Sequence, residues 1–237
     1  MPDHFDIAWA LEHLGVVYTK LGQYEKAKEA LEQSVKIYAV SLPDQIGPAW
    51  ILHHTESLYD SKSDENITTL FDQLLEIYKT HFHDNYIYVA YPLSKLGNLY
   101  KELGNYEKAE ILLKQSLAIY QKNYGEHHLA STQTLSDLGH LYFLKEKLDD
   151  SEDLLKKSLK ILEKNHHSER YSCLERLSEL FLKKSKIEAE KGYKEKAQNF
   201  KEQALSFLKK ALEIAKVQLG KDTPHVMRIE EELKKFE

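Results

Sequence analysis

Blocks of this sequence return at a fixed interval, and nothing else constrains its fold as strongly. Leu14-Gly15-Val16-Val17-Tyr18 recurs as Leu96-Gly97-Asn98-Leu99-Tyr100 and as Leu138-Gly139-His140-Leu141-Tyr142. Downstream, Leu21-Gly22-Gln23-Tyr24-Glu25-Lys26-Ala27 returns, two intervals on, as Leu103-Gly104-Asn105-Tyr106-Glu107-Lys108-Ala109. A weaker copy is therefore expected midway. Tyr59 stands there, 41 residues after Tyr18 and 41 before Tyr100. Tyr142 follows 42 residues on, and Phe181 takes the slot 39 after that. The second half of each unit repeats as Tyr38, Tyr78, Tyr120 and Leu162, spaced 40, 42 and 42.

Each unit reads as two amphipathic helices. Leu11, Leu14 and Tyr18 fall on one face of a 3.6-residue period, and Ala27, Leu31, Ser34, Val35 and Tyr38 do the same for the second helix. Gly22 and Gly104 sit where a first helix should stop, in the left-handed position of a C-cap. Gly15 and Ala27 are small enough to let paired helices approach closely. The middle copy places Glu56 and Ile67 in those slots, which predicts looser or re-angled packing there. Only 9 Gly and 5 Pro occur in 237 residues, which argues for long helices with short connections and against a barrel or sandwich.

At these residues the chain resembles the tetratricopeptide-repeat family, through the pattern L-x-x-L-G-x-x-Y…A-x-x-x-L. The period of 41–42 is similar to the longer-repeat subclass of kinesin light chains and many bacterial repeat proteins. Tyr124-Gly125-Glu126-His127-His128 and Leu219-Gly220-Lys221-Asp222-Thr223-Pro224 resemble that subclass's joint. The resemblance implies an all-α superhelix, an α-solenoid of about five helical hairpins. The repeats are placed at 5–46, 47–87, 88–129, 130–167 and 168–221, with a capping helix over 223–237, as one domain over 1–237. It also implies one groove wall built from the first helices. A single hairpin cannot bury both faces, so neighbours must stack. Thr223 suits an N-cap and Pro224 the first helical position. No matching cap precedes the first repeat, so its first helix is polar enough outside, or that end docks on something, self-association included.

The fifth unit departs from the pattern. Eight or nine residues separate the Tyr slot from the small-residue slot elsewhere, but Phe181 to Ala204 is 23. The surplus predicts a hairpin about two turns longer on each helix, with its tip near Gly192-Tyr193. Residues 183–210 hold 9 Lys against 4 Glu, while residues 1–100 hold 7 Lys against 14 acidic residues.

The first-helix slots facing the inner wall hold Trp9, Trp50 and Tyr91, then Gln133 and Ser172. One turn on come His13, His54, Lys95, Asp137 and Arg176, and then Val16, Ser57, Asn98, His140 and Glu179. The adjoining slot, Val17, Leu58, Leu99, Leu141 and Leu180, reads as core. Both tryptophans occupy one repeat slot, and two readings stay open. Either they form a recognition surface, since Trp and Tyr dominate interface hot spots, or they pack on the preceding helix. Paired Asn before the Leu-Gly pair, common in kinesin-like repeats, is missing, and so is the basic clamp for chaperone tails apart from Lys95 and Asn98. Neither ligand class carries over.

Twelve histidines include adjacent pairs, but neighbours on a helix point about 100° apart and do not share a metal. No His/Cys set has zinc spacing, and no metal or cofactor is expected. A pH-sensitive contact at His13, His54 or His140 ranks below solvated or groove-lining histidines. Cys173, the one cysteine, excludes an internal disulfide and reads as a small buried residue. No phosphate loop, dinucleotide motif or nucleophile elbow is present, so no enzyme activity is expected.

The first residues, Met1-Pro2-Asp3-His4-Phe5-Asp6, carry acid where a signal peptide carries base, and no apolar run approaches the roughly 20 residues of a membrane span. A cytoplasmic protein from a reducing compartment is expected, with no membrane partner. The residues thus predict a non-catalytic interaction module, either a scaffold or a dedicated regulator or inhibitor of a partner enzyme. It would bind one protein partner through Trp9, His13, Trp50, His54, Tyr91, Lys95, Asn98 and His140. The Lys-rich hairpin, with Lys191, Lys194 and Lys196, offers a secondary contact. A nucleic-acid-binding regulator acting through that hairpin is the alternative, and it ranks behind because Arg, the usual base reader, is absent there.

Overall fold

The computed structural model describes residues 4–41, 69, 72, 73, 76, 80 and 87–236. Among the described residues the chain is all-α, with nine helices, one 3₁₀ turn and no strand. It divides into two compact units, Met1–Gly125 and Glu126–Glu237. In the first, α1 (His4–Lys20) pairs with α2 (Tyr24–Ser41), and α3 (Ile87–Glu102) with α4 (Tyr106–Tyr124). The second opens with the 3₁₀ turn Leu129–Ser131. Hairpins of α5 (Thr132–Leu144) with α6 (Leu148–Lys164) and α7 (Arg170–Glu190) with α8 (Lys194–Leu219) follow, and α9 (Pro224–Lys234) packs on α8.

One glycine slot explains how closely the hairpins shut. A Cβ on Gly15, Gly97 or Gly139 would stand 2.5, 2.8 or 2.9 Å from Cγ of Leu31, Leu113 or Leu155. The leucine of A-x-x-x-L thus fills the space that the glycine leaves, which couples the two halves of the motif. In the α7–α8 hairpin Ser178 takes that slot, and its hydroxyl donates to the carbonyl of Ala204 at 2.8 Å. Another slot closes the opposite end of the hairpins. Ser34 donates to the Ala8 carbonyl at 2.7 Å and Ser158 to that of Thr132 at 2.9 Å, each pair 26 residues apart and buried. A buried hydroxyl needs a partner, and the first helix supplies it.

Turns follow the glycine signal with two exceptions, Glu146 and His166, the latter just past α6 at φ 49°. Gly22, Gly104 and Gly192 have φ of 71°, 77° and 86°, the left-handed conformation that ends a helix. Glu146 occupies the same slot between α5 and α6 at φ 61°, where no glycine advertised it.

Most residues of the expected core slot are buried: Leu99, Leu141 and Leu180 are 8 %, 0 % and 0 % exposed. Val17 is not, at 49 %. Among the described residues, α2 is the helix packed on α1. Leu58, Glu56 and Ile67 lie outside the described residues.

Helices α7 and α8, of 21 and 26 residues, exceed the 13 and 17 of α5 and α6. Their added length is not merely solvated. Lys184 is buried, and its ammonium donates to Asp149 at 2.7 Å and Glu152 at 2.6 Å on α6. Burial works against the Lys184 charge, yet these two carboxylates outweigh it and raise its pKa.

The α9 helix starts as its sequence indicates. Thr223 accepts a hydrogen bond from the Val226 amide, and Pro224 stands in the first turn. Val226 and Ile229 are fully buried against Leu208 and Ala215 of α8. Glu175 of α7 holds the polar side. Its carboxylate accepts from Arg228 Nη2 at 2.6 Å and lies 3.1 Å from His225 Nε2 without the alignment of a hydrogen bond. Replacing Glu175 by Ala is expected to speed amide exchange over 226–233 at least about tenfold, as a lost charge-assisted bond of about 1.5–3 kcal/mol implies. Exchange in α7 and α8 should not change.

Candidate functional site

The second unit carries a cleft of about 740 Å³ on the wall formed by its first helices. His140 of α5 and Ser172, Arg176 and Glu179 of α7 line it. All four occupy inner-wall slots of the repeat. The far side is supplied by α9 through His225, Arg228 and Glu232, with Phe236 just beyond its end.

Electrostatics divide the cleft. Near α5, charges are matched. Arg176 donates to the buried Asp137 at 3.0 Å and to the Ser136 hydroxyl at 2.8 Å, while Gln133 donates to Asp137 at 3.1 Å. Arg228 spans Glu175 and Glu232 at 2.6 and 2.9 Å. Burial raises the Glu179 pKa, with repulsion from Glu232 adding to it and Arg176, Lys183 and Arg228 opposing. Toward the tip of the long hairpin, the half-buried Leu182 and Phe236 lie beside Lys186, Lys201 and Lys235.

The other wall residues lie in the first unit. Trp9 is 51 % exposed, and its ring meets that of His13 at a tilt of 39° with centroids 4.0 Å apart. His13 Nδ1 lies 2.9 Å from the Trp9 carbonyl, which fixes the imidazole against the helix. On α3, Lys95 lies 5.0 Å from the centroid of the half-buried Tyr91, and Asn98 accepts from Lys101 at 2.7 Å. Trp50 and His54 lie outside the described residues. Trp9 with His13 makes one cluster, Tyr91 with Lys95 another, and His140 belongs to the cleft of the second unit.

The three hairpin lysines are exposed, but two are engaged. Lys191 and Lys196 both pair with Glu188, at 3.0 and 3.1 Å. Lys194 forms no ion pair among the described residues. Cys173 is buried, and burial pushes its thiol up to about 11, the opposite of a nucleophile's requirement. Among the described residues no His, Cys, Asp and Glu cluster could hold a metal, and no helix is long and apolar enough to cross a membrane.

Sequence reasoning placed Ser172, Arg176 and Glu179 on the wall but did not select them. It missed the α9 contribution altogether, because nothing in a helix-length pattern says which face of a neighbour a cap will cover.

Comparison with known proteins gives the class. Tetratricopeptide-repeat models match residues 10–40, 56–122 and 88–164. The chain belongs to the tetratricopeptide-repeat family, whose fold serves as a protein–protein interaction module. Solved structures agree on the fold. BtubC (BKLC) from P. vanneervenii matches with a TM-score of 0.65 and 18% identity, over 92% of this chain and 83% of that one. A Podosopora anserina protein with nearly identical TPR-like repeats of the kinesin light chain kind matches at 0.54 and 21%, over 92% and 99%. Pseudomonas aeruginosa pilF matches at 0.50 and 18%, over 98% and 92%. No curated protein sequence matches significantly.

Proposed function

We propose that the chain is a non-catalytic interaction module that holds a protein partner against its first-helix wall, as a scaffold or as a regulator of a partner enzyme. The observation that supports this reading is the cleft, in which four wall slots and the capping helix converge around apolar and charged groups. Trp9 with His13, and Tyr91 with Lys95 and Asn98, are the anchors proposed on the first unit, and Trp50 and His54 join them from the sequence. His140 is the anchor in the cleft. Exposed aromatic rings beside polar groups are the composition of interface hot spots. The chain's contribution is a rigid surface on which specificity is set by where charges are matched and where they are not.

A paired capture from native cytosol tests this. Three baits are compared, each confirmed as folded by circular dichroism: wild type, a Trp9→Ala, Trp50→Ala, Tyr91→Ala variant, and a His140→Ala, Glu179→Ala variant. A protein retained by wild type and depleted at least about tenfold on either variant is the expected result. Equal recovery on all three would remove the wall from the account.

The alternative, nucleic acid held by the hairpin lysines, draws less support, because Glu188 already offsets Lys191 and Lys196. It predicts binding that falls steeply with salt and is lost when Lys191, Lys194 and Lys196 become Glu.

A further inference from the structure

Helix α9 covers only part of the groove in which it lies. Its 11 residues span about 16 Å, whereas the 21 and 26 residues of α7 and α8 span about 32 and 39 Å. It starts at the N-terminal end of α7, where His225 stacks edge-on against Tyr171 at 5.1 Å and Arg228 meets Glu175. It stops where Phe236 joins Leu182 in the cleft. Beyond that point α7 and α8 continue to their tip with no described helix over them.

The open stretch is chemically distinct from the covered one. Under α9 the cations are spent, Arg228 on Glu175 and Glu232, and Arg176 on Asp137. At its end Lys186, Lys201 and Lys235 are exposed and form no ion pair among the described residues, beside the half-buried Leu182 and Phe236. Glu179 lines the same cleft, is exposed and forms no ion pair among the described residues, so it offsets one of the three charges and leaves a surplus. The groove therefore presents apolar side chains with a surplus of positive charge, in a seat that already holds one helix.

We infer that this stretch is the docking site for an acidic amphipathic helix of a protein partner, lying end to end with α9. The shape comes from α9, which shows what the α7–α8 groove accepts. The charge comes from the three lysines, and the amphipathic pattern from Leu182 and Phe236 beside them. The inference rests on the proposed interaction function only in requiring a protein partner. It names a site nearer the hairpin tip than His140.

The test uses the full chain and fluorescence anisotropy. The probe is a labelled helical peptide of roughly 16 residues, about 24 Å long, with Leu on one face and Glu along both flanks. A twin carries Lys in place of every Glu, and a single-stranded DNA of similar length is the third probe. The acidic peptide is expected to bind saturably and to lose at least about tenfold in affinity on Lys186→Glu, Lys201→Glu, Lys235→Glu. The Lys twin should gain on that variant. A control variant, Lys160→Glu, Lys209→Glu, Lys221→Glu, makes the same change in net charge away from the groove and should leave the acidic peptide within about twofold. Three results would overturn the inference: equal binding of the two peptides, equal loss on the control variant, or tighter binding of the DNA. If the acidic peptide fails while the His140 and Trp9 variants still lose a captured protein, the tip site falls and the wall stands. The converse pattern removes the wall and keeps the tip.

Discussion

Truncating Phe181 to Ala is expected to cost about 3–5 kcal/mol, the largest single effect in the molecule. Its side chain is 1 % exposed. The rings of Phe200 and Phe207 meet it edge-on at 5.7 and 5.4 Å, and Lys156 Nζ lies 5.6 Å from its centroid. Neither helix of the long hairpin can collapse into the space, because Ser178 on one side is bonded to the Ala204 carbonyl and Ser185 to that of Ala197. The cavity term therefore adds to the lost transfer energy. In a repeat array each hairpin is stabilised by its neighbours, so the loss should appear as early unfolding of the second unit in urea. Tyr193→Ala, at a ring 61 % exposed on the same hairpin, should stay within about 0.5 kcal/mol. Urea unfolding of the three proteins, read by circular dichroism, checks both values.

The second large effect is expected at Gly139. Valine there would place its Cβ 2.9 and 3.1 Å from Cγ and Cδ2 of Leu155 and 3.4 Å from the Ser151 carbonyl, with two more carbons to fit. Leu155 is 1 % exposed and has nowhere to move, so about 2–3 kcal/mol should be lost, the usual range for overpacking. Alanine should cost less, because its better helix propensity returns up to about 1 kcal/mol. Gly104 makes a sharp contrast. A Cβ there meets nothing within 4 Å, but φ is 77°. Gly104→Ala should cost about 1 kcal/mol through the backbone alone, and Asn should restore part of it. A thermal shift series over Gly139→Ala, Gly139→Val, Gly104→Ala and Gly104→Asn separates packing from backbone strain.

This contrast also explains what was legible in the sequence. Repeat slots are local requirements, each met within one hairpin. A glycine that must touch a leucine of the facing helix, as Gly139 touches Leu155, therefore leaves a mark at a fixed spacing. The all-α repeat fold and the left-handed Gly22 and Gly104 were readable for that reason. Glu146 was not, since a left-handed glutamate looks like any other surface residue until the turn is seen. Nothing in the sequence separates Lys184 from the other lysines of residues 183–210. Only the approach of Asp149 and Glu152, from the second helix of the preceding hairpin, makes it a buried ion-pair centre. Val17 shows the opposite error, an apolar slot that periodicity assigned to the core and that is half exposed.

The candidate site was legible in the same uneven way. The pattern put His140, Ser172, Arg176 and Glu179 on one wall, and those four line the cleft. It gave no means of seeing that Arg176 would be consumed by Asp137, or that α9 would bring Arg228 and Phe236 across from the far end of α8. Charge matching is a property of the folded surface. That is why Lys186, Lys201 and Lys235, absent from every motif, mark the unmatched end of the cleft.

The central claim, that the partner sits on the first-helix wall, is tested most directly by site-specific photo-crosslinking. A photoreactive phenylalanine is placed at the position of Ser172 in the cleft, and in a second protein at that of Gln218, exposed on α8 and away from it. A cross-linked partner band is expected from the Ser172 position alone, abolished by His140→Ala, Glu179→Ala. Cross-linking from Gln218 and none from Ser172 would contradict it.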